Sequence, residues 1–333
     1  MFAFAASALS ASARVDPNFA QAVAEGLTRK RQKTLPPSWF YDEVGSALFE
    51  AITLLPEYGL TRAEGQLLAR ASSEIVRASG QPDLIVELGS GTGMKTRFVL
   101  SEAVASAQSG PVEYRPIDIS SAALDSCAKT LGGMDRVRIE PIDATYFDGI
   151  DVAMAGRKHG QRALLLFLGS TVGNFNRSDA VVFLRRIRKR MQPGDCLLLG
   201  ADLVKPRAKL LSAYDDPIGV TAAFNLNILA RINRELEGHF DIAHFAHEAR
   251  YNARQARIEM HLRSRVAQKV RIGAIAITVP FLAGETIWTE SSHKFGAEEI
   301  VRMGERAGWR PVRQWADCDW GFAETLFRNC PLK

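Results

Sequence analysis

The sequence predicts an α/β protein: a parallel sheet with right-handed crossovers, carrying an appended lobe. Three observations predict it. From about residue 83, short apolar runs alternate with helical patterns. A glycine-rich turn joins the first apolar run to a helix. After Lys205-Pro206 the alternation gives way to a long helical stretch and then to segments of period two. At 333 residues the chain is long for one compact domain and short for three, so one large unit with a lobe accommodates it.

Residues 1–13 are apolar and rich in small side chains but lack the basic start of a secretory signal, and are expected to form a loosely packed end. Residues 16–80 read as helical, broken at Pro36-Pro37 and Pro56. Leu84-Ile85-Val86-Glu87-Leu88 is a short apolar strand, followed by a helix over 95–107, a second strand ending near Ile117, a helix over 122–131 and a third strand over 137–142. The segments 163–168 and 196–201 are almost wholly apolar, as strands covered on both faces must be. A helical stretch over 210–236 is interrupted near Pro217-Ile218-Gly219, and 257–283 alternates through Ile258, Met260 and Leu262, then Ile275, Ile277 and Val279, as antiparallel strands do. A helix over 297–307 and a strand near 324–328 are expected to rejoin the main sheet.

Composition narrows the function classes. Hydrophobic residues are 47% and charged residues 24%, the balance of an ordinary globular protein, and no apolar run reaches the roughly 18 residues that would span a bilayer. The net charge of +5 gathers partly in 29–33 and 185–190. The second run shares a helix with Val181, Val182, Leu184, Ile187 and Met191 and reads as its solvated face. Neither run is interleaved with aromatics, so nucleic acid is not an expected partner. Cys127, Cys196, Cys318 and Cys330 are widely spaced with no C-x-x-C, which suits reduced thiols in the cytoplasm. His239, Asp241, His244 and His247, the last two at helical spacing, match no metal-ligand pattern, and no metal is expected. Ser170 lacks a nucleophile elbow.

Glu87-Leu88-Gly89-Ser90-Gly91-Thr92-Gly93 follows the first strand and opens a helix; glycines there allow a sharp turn and close approach of a ligand. A tight turn with no ligand would use the same residues. Asp118 ends the second strand, where a carboxylate accepts from both hydroxyls of an adenosine ribose, and Asp143 follows the third, where an adenine amino group would lie. Three such joints meet at one crevice. A pyrophosphate cofactor would want a third glycine packed at the helix N-terminus. Here that stretch reads Gly93-Met94-Lys95, and the form Glu87-Leu88-Gly89-Ser90-Gly91-Thr92-Gly93 resembles the methyltransferase loop instead, whose ligand carries a carboxylate that Lys95 could pair with; an exposed helix lysine is the other reading.

Longer motifs extend the likeness: Trp39-Phe40-Tyr41-Asp42-Glu43-Val44-Gly45-Ser46, Leu55-Pro56-Glu57-Tyr58, Phe167-Leu168-Gly169-Ser170-Thr171-Val172-Gly173-Asn174, Ala213-Tyr214-Asp215-Asp216, Arg257-Ile258-Glu259-Met260 and Thr289-Glu290-Ser291-Ser292-His293-Lys294-Phe295. On these the chain resembles, over essentially its whole length, the histidine-specific S-adenosylmethionine-dependent methyltransferases of the ergothioneine pathway. The resemblance implies a Rossmann-like class I methyltransferase sheet (63–203 plus 293–333) and a second, discontinuous α+β substrate lobe (1–62 plus 204–292). It implies S-adenosylmethionine held by Gly89, Lys95, Asp118 and the pair Asp143-Ala144. Histidine would be held by Tyr58, Asn174, Tyr214, Glu290 and Ser292: Asn174 and Tyr214 at the amino-acid end, Glu290 with Ser292 on the imidazole. Tyr41 would lie near the amine, and Met260 would give the pocket an adaptable wall.

The implied reaction is trimethylation of the α-amino group of histidine to hercynine by a monomer acting on a free amino acid. An acceptor such as tryptophan or an indole amine is the alternative, and a non-catalytic adenosine-binding module is a rival of another class. Asn174 follows its turn without the Asn/Asp-Pro-Pro-aromatic motif of adenine and glutamine methyltransferases, which favours an acceptor other than a base or a protein amide. Two departures stand out: Gly59-Leu60 where the family often shows a second tyrosine and a proline, and Ile142 rather than a small residue ahead of Asp143.

Overall fold

The computed structural model describes residues 15–107 and 110–331, so the expected loose end at 1–13 lies outside the described residues. The chain begins with helix α1 (Pro17–Leu27), a two-residue strand β1 (Lys33–Thr34) and helices α2 (Glu43–Leu54) and α3 (Gly59–Ala78). Asp16 caps α1 by accepting from the Asn18 and Phe19 amides, and Asp42 caps α2 through Gly45, so the proline break between them ends in a capped restart.

The alternating region then runs β2 (Leu84–Leu88), α4 (Thr96–Ser106), β3 (Val112–Asp118), α5 (Ser121–Leu131), β4 (Val137–Ile139), β5 (Ile142–Asp143), α6 (Tyr146–Ala155), β6 (Ala163–Phe167), α7 (Arg177–Arg188) and β7 (Cys196–Asp202). The chain leaves the sheet through α8 (Arg207–Tyr214), α9 (Val220–Glu235), β8 (Phe245–Asn252), β9 (Arg257–Ser264), β10 (Gln268–Ile272), β11 (Ile277–Phe281) and β12 (Thr286–His293). It returns as α10 (Ala297–Arg306), β13 (Arg310–Asp317) and β14 (Phe322–Arg328).

The main sheet has the order β13-β14-β7-β6-β2-β3-β4, with β5 also on β3. Its neighbours from β7 through β4 are parallel, and β14 enters antiparallel to β7. Every residue of β2, β6 and β7 is buried. Alternation along β2 sends Leu84, Val86 and Leu88 to one core and Ile85 to the other, one on each face of the sheet. A third core joins residues from α1–α3 to residues from α8–β12. There a second sheet, β1-β12-β9-β8, lies beside the β10–β11 hairpin.

The expected third strand, 137–142, divides in two. Glu140-Pro141 interrupts it, because proline has no N–H for the ladder, and β4 and β5 pair separately with β3. Besides the two-residue β1, which lies in a stretch read as helical, three elements escaped the sequence reading. Helix α6 contains Gly149, where a Cβ would lie 2.4 Å from Ile117 Cγ2, so a packing glycine dilutes its helical pattern. Strands β8 and β13 are mostly half-buried or exposed and show no apolar alternation. His247 therefore lies on a strand, with His244 in a 3-10 turn before it, and the helical spacing read between them does not exist. Among the described residues no group of three or more His, Cys, Asp or Glu side chains is placed to hold a metal, and no helix is long and apolar enough to cross a membrane.

Candidate active site

The turn after β2 takes positive φ at Gly89 (+70°), Gly91 (+51°) and Gly93 (+71°). A Cβ on Gly93 would lie 2.8 Å from Cys127 Sγ, whereas one on Gly91 would meet nothing within 4 Å. The turn is thus packed at its base and open at its tip, a cradle that backbone alone lines. Asp118, at the end of β3, accepts from the Ser120 amide at 3.0 Å and faces the Gly91 amide at 3.5 Å. Burial pushes its carboxyl above the usual range and Asp143 adds to this, against the Ser120, Gly91 and Ile119 amides. Asp143 stands beside it in register, accepting from Ser121 Oγ at 2.8 Å, and the Ala144 amide donates to the Asp118 carbonyl at 3.2 Å. Clustered carboxylates here suit a ligand with ribose hydroxyls and a cationic centre, and repel a pyrophosphate.

Lys95 is half-buried rather than an exposed helix lysine. Its ammonium is ion-paired with Glu64, a fully buried residue of α3 that also accepts from the Gly169 amide at 2.5 Å. An ammonium has three N–H groups, so a ligand carboxylate remains compatible with this pair. Behind it, Glu87 accepts from Thr96 and Tyr114, and burial lifts its carboxyl to about 7. Tyr146, also missed, brings its hydroxyl to 3.3 Å from where a Gly89 Cβ would be.

On the lobe side, Tyr214 at the end of α8 donates its hydroxyl to Ser292 Oγ at 2.7 Å. The buried Lys294 donates to both oxygens and pairs with Asp202 at 2.9 Å. The Tyr58 ring stands 6.1 Å from that of Tyr214. Ser292 is buried, 5% exposed, and faces Ile258 across the β12–β9 ladder. Glu290 follows a bulge after Trp288, pairs across the ladder with the buried Met260, and is therefore on Met260's face of the sheet. Burial pushes the Glu290 carboxyl up to about 7, opposed by Lys294 alone; no donor from the described residues holds it. The 3-10 turn ending in Asn174 abuts β12: the Gly173 carbonyl lies 3.0 Å from His293 Nδ1, and a Gly173 Cβ would be 2.8 Å from the His293 carbonyl oxygen.

Tyr41 joins the two halves. Its ring packs edge-on against Phe49 and Phe224. Burial, then Glu290, Tyr58, Tyr146 and Asp118, raise its hydroxyl well above the ordinary value, so groups from both sides act on it. Gly59, one of the two departures, makes room for Trp320: a Cβ there would lie 2.2 Å from the indole, whose Nε1 donates to Asp202 at 3.1 Å.

A parallel sheet with β14 inserted antiparallel beside β7, a glycine cradle after β2 and carboxylates on the next two strand ends define an S-adenosylmethionine-dependent methyltransferase of the α/β class. The family described as "Histidine-specific methyltransferase, SAM-dependent" matches residues 19–329, and the chain belongs to that family. It is 46% identical over 295 residues to the histidine N-alpha-methyltransferase of Mycolicibacterium smegmatis, covering 89% of this chain and 90% of that one. It is 44% identical over 292 residues to the namesake from Mycobacterium tuberculosis, covering 87% and 88%. It is also 28% identical over 331 residues to an L-tryptophan methyltransferase from Psilocybe serbica, covering 90% of each.

Proposed function

We propose that this protein trimethylates the α-amino group of L-histidine to hercynine, the first step of ergothioneine biosynthesis. The observation that carries the choice of acceptor is Glu290: a half-buried carboxylate without a protein donor, beside the Ser292–Tyr214 hydroxyl pair and within the electrostatic reach of Tyr41. An imidazole offers one N–H and one bare nitrogen, matching a carboxylate and a hydroxyl. An indole offers a single N–H and no acceptor nitrogen, so it leaves one of those groups unserved.

Gly89, Lys95, Asp118, Asp143 and Ala144 are the residues assigned to the cofactor; Tyr58, Asn174, Tyr214, Met260, Glu290 and Ser292 to histidine. S-adenosylmethionine supplies an electrophilic methyl group on a sulfonium. The protein's share is to hold the amine nitrogen neutral and in line with that methyl. Fixing nucleophile and methyl about 3–3.5 Å apart contributes on the order of 7–11 kcal/mol. A free amine with a pKa near 8 is partly neutral at cellular pH and more so beside a cation, so no strong base is needed. With its hydroxyl held far from ionisation, Tyr41 orients the amine, accepting from an amine N–H rather than removing a proton.

The division of labour follows the chain: 63–203 plus 293–333 for cofactor, 1–62 plus 204–292 for substrate. The protein acts as a monomer on a small-molecule amino acid, without metal or nucleic acid. The unpaired Cys127, Cys196, Cys318 and Cys330 suit a reducing cytoplasm. Incubation with S-adenosylmethionine and each amino acid, read by mass spectrometry, tests the assignment. A gain of three methyls on histidine supports it, gain on tryptophan alone moves the acceptor to indole, and no product on any amino acid removes the enzymatic reading.

A further inference from the structure

Lys294 is fully buried, and an ammonium only donates. Its hydrogens have three acceptors: Asp202 Oδ2 at 2.9 Å, Tyr214 Oη at 3.0 Å and Ser292 Oγ at 2.8 Å. The two hydroxyl oxygens are themselves 2.7 Å apart, Tyr214 donating to Ser292. A hydroxyl has one proton and two lone pairs. Ser292 thus has both lone pairs engaged, one by Lys294 and one by Tyr214, and only its proton remains for anything else.

We infer that Lys294, anchored by Asp202, is a positioning residue that makes Ser292 a pure hydrogen-bond donor toward the substrate, so that the site selects a neutral imidazole with its bare nitrogen at Ser292 and its N–H at Glu290. The inference rests on the proposed assignment of histidine to this pocket and adds a residue that touches no substrate. It also sets a ring-protonation rule. An imidazolium presents N–H on both sides, so one N–H would face the Ser292 proton with the Lys294 charge behind it. Asp202 is itself held on its other oxygen by Lys205 and by Trp320 Nε1, which keeps the anchor fixed independently of the hydroxyls.

The test is a double-mutant cycle on histidine kinetics: wild type, Ser292→Ala, Lys294→Met and the pair, with S-adenosylmethionine affinity as the control for an intact fold. Should Lys294→Met fail to fold, Lys294→Gln takes its place. Each single change is expected to raise KM for histidine about 10-fold or more, with cofactor affinity within about 2-fold. The double variant is expected to be no more than about 2-fold worse than the worse single, because Lys294 acts through Ser292. A substrate probe reads the same thing by another route. β-(Pyrrol-3-yl)alanine keeps an N–H and lacks the acceptor nitrogen; wild type should prefer histidine over it by 10-fold or more in kcat/KM, and both singles should lose that preference. Multiplying effects in the double variant, or a preference that survives Lys294→Met, would overturn the inference. A wild-type enzyme that turns over another amino acid instead of histidine would overturn the proposed function itself, a separate outcome.

Discussion

Glu290→Gln should make the ligand-free protein more stable in mild alkali while disabling its use of histidine. The Glu290 carboxyl has a folded-state value of about 7 against 4.5 when unperturbed, chiefly through burial. An acid with a raised folded value binds its proton more tightly in the folded state, so its favourable contribution is present at low pH and is lost as pH rises through about 7. Above that, the ionised group opposes folding. Two and a half pH units at about 1.4 kcal/mol each give about 3.5 kcal/mol as an upper bound, and the partial exposure of the side chain halves it, to about 1–2 kcal/mol. Glutamine has the same shape without the charge. Urea unfolding at pH 8.5 should therefore show the variant about 1–2 kcal/mol more stable at unchanged m, and the difference should shrink to a few tenths of a kcal/mol at about pH 5. Glu87 titrates identically in both proteins and cancels from the comparison. A difference of equal size at the two pH values, or a variant less stable at pH 8.5, would refute the claim that this carboxylate is held without a donor.

The remaining expectations concern the two halves of the site. Asp118→Ala should weaken S-adenosylmethionine binding about 10- to 100-fold, from lost charged hydrogen bonds of about 1.5–3 kcal/mol, while calorimetry with histidine shows a site still competent. Tyr41→Phe should lower kcat with cofactor affinity intact. In the wild type, kcat should show no limb between pH 8 and 10 from this hydroxyl, whose ionisation lies well above its ordinary value. Gly59→Ala should destabilise the fold by about 1–3 kcal/mol in thermal or urea unfolding, because its Cβ would enter the Trp320 ring, and histidine KM should rise as Trp320 shifts on Asp202.

The parts of the fold readable in the sequence are those whose signal is local. Wholly apolar segments marked β6 and β7, and the glycine turn and the two acidic strand ends read from the sequence lie at neighbouring strand ends in the fold. Only likeness to a family reached Glu290 and Ser292, because nothing in the composition of β12 separates them from any half-buried strand. The residues that escaped act across long separations. Glu64 serves a Gly169 amide 105 positions away, and Trp320 occupies space left by Gly59. Tyr146 opens a helix whose pattern a packing glycine obscures. A buried glutamate inside an amphipathic helix carries no mark of its partner until the chain is folded.

The excursion of the chain between β7 and α10 begins and ends at one point. Asp202 and Lys294 touch, and Leu203 bridges to Phe295 just beyond them. An insertion whose two ends already meet imposes almost no closure entropy on its host. It can lengthen, shorten or exchange its acceptor-facing walls while the strands beneath keep their register. On the proposed assignment, the walls this insertion supplies (Tyr214, Met260, Glu290 and Ser292) could be exchanged as a block, while Tyr41, Tyr58, Asn174 and Lys294 would act on the acceptor from outside it.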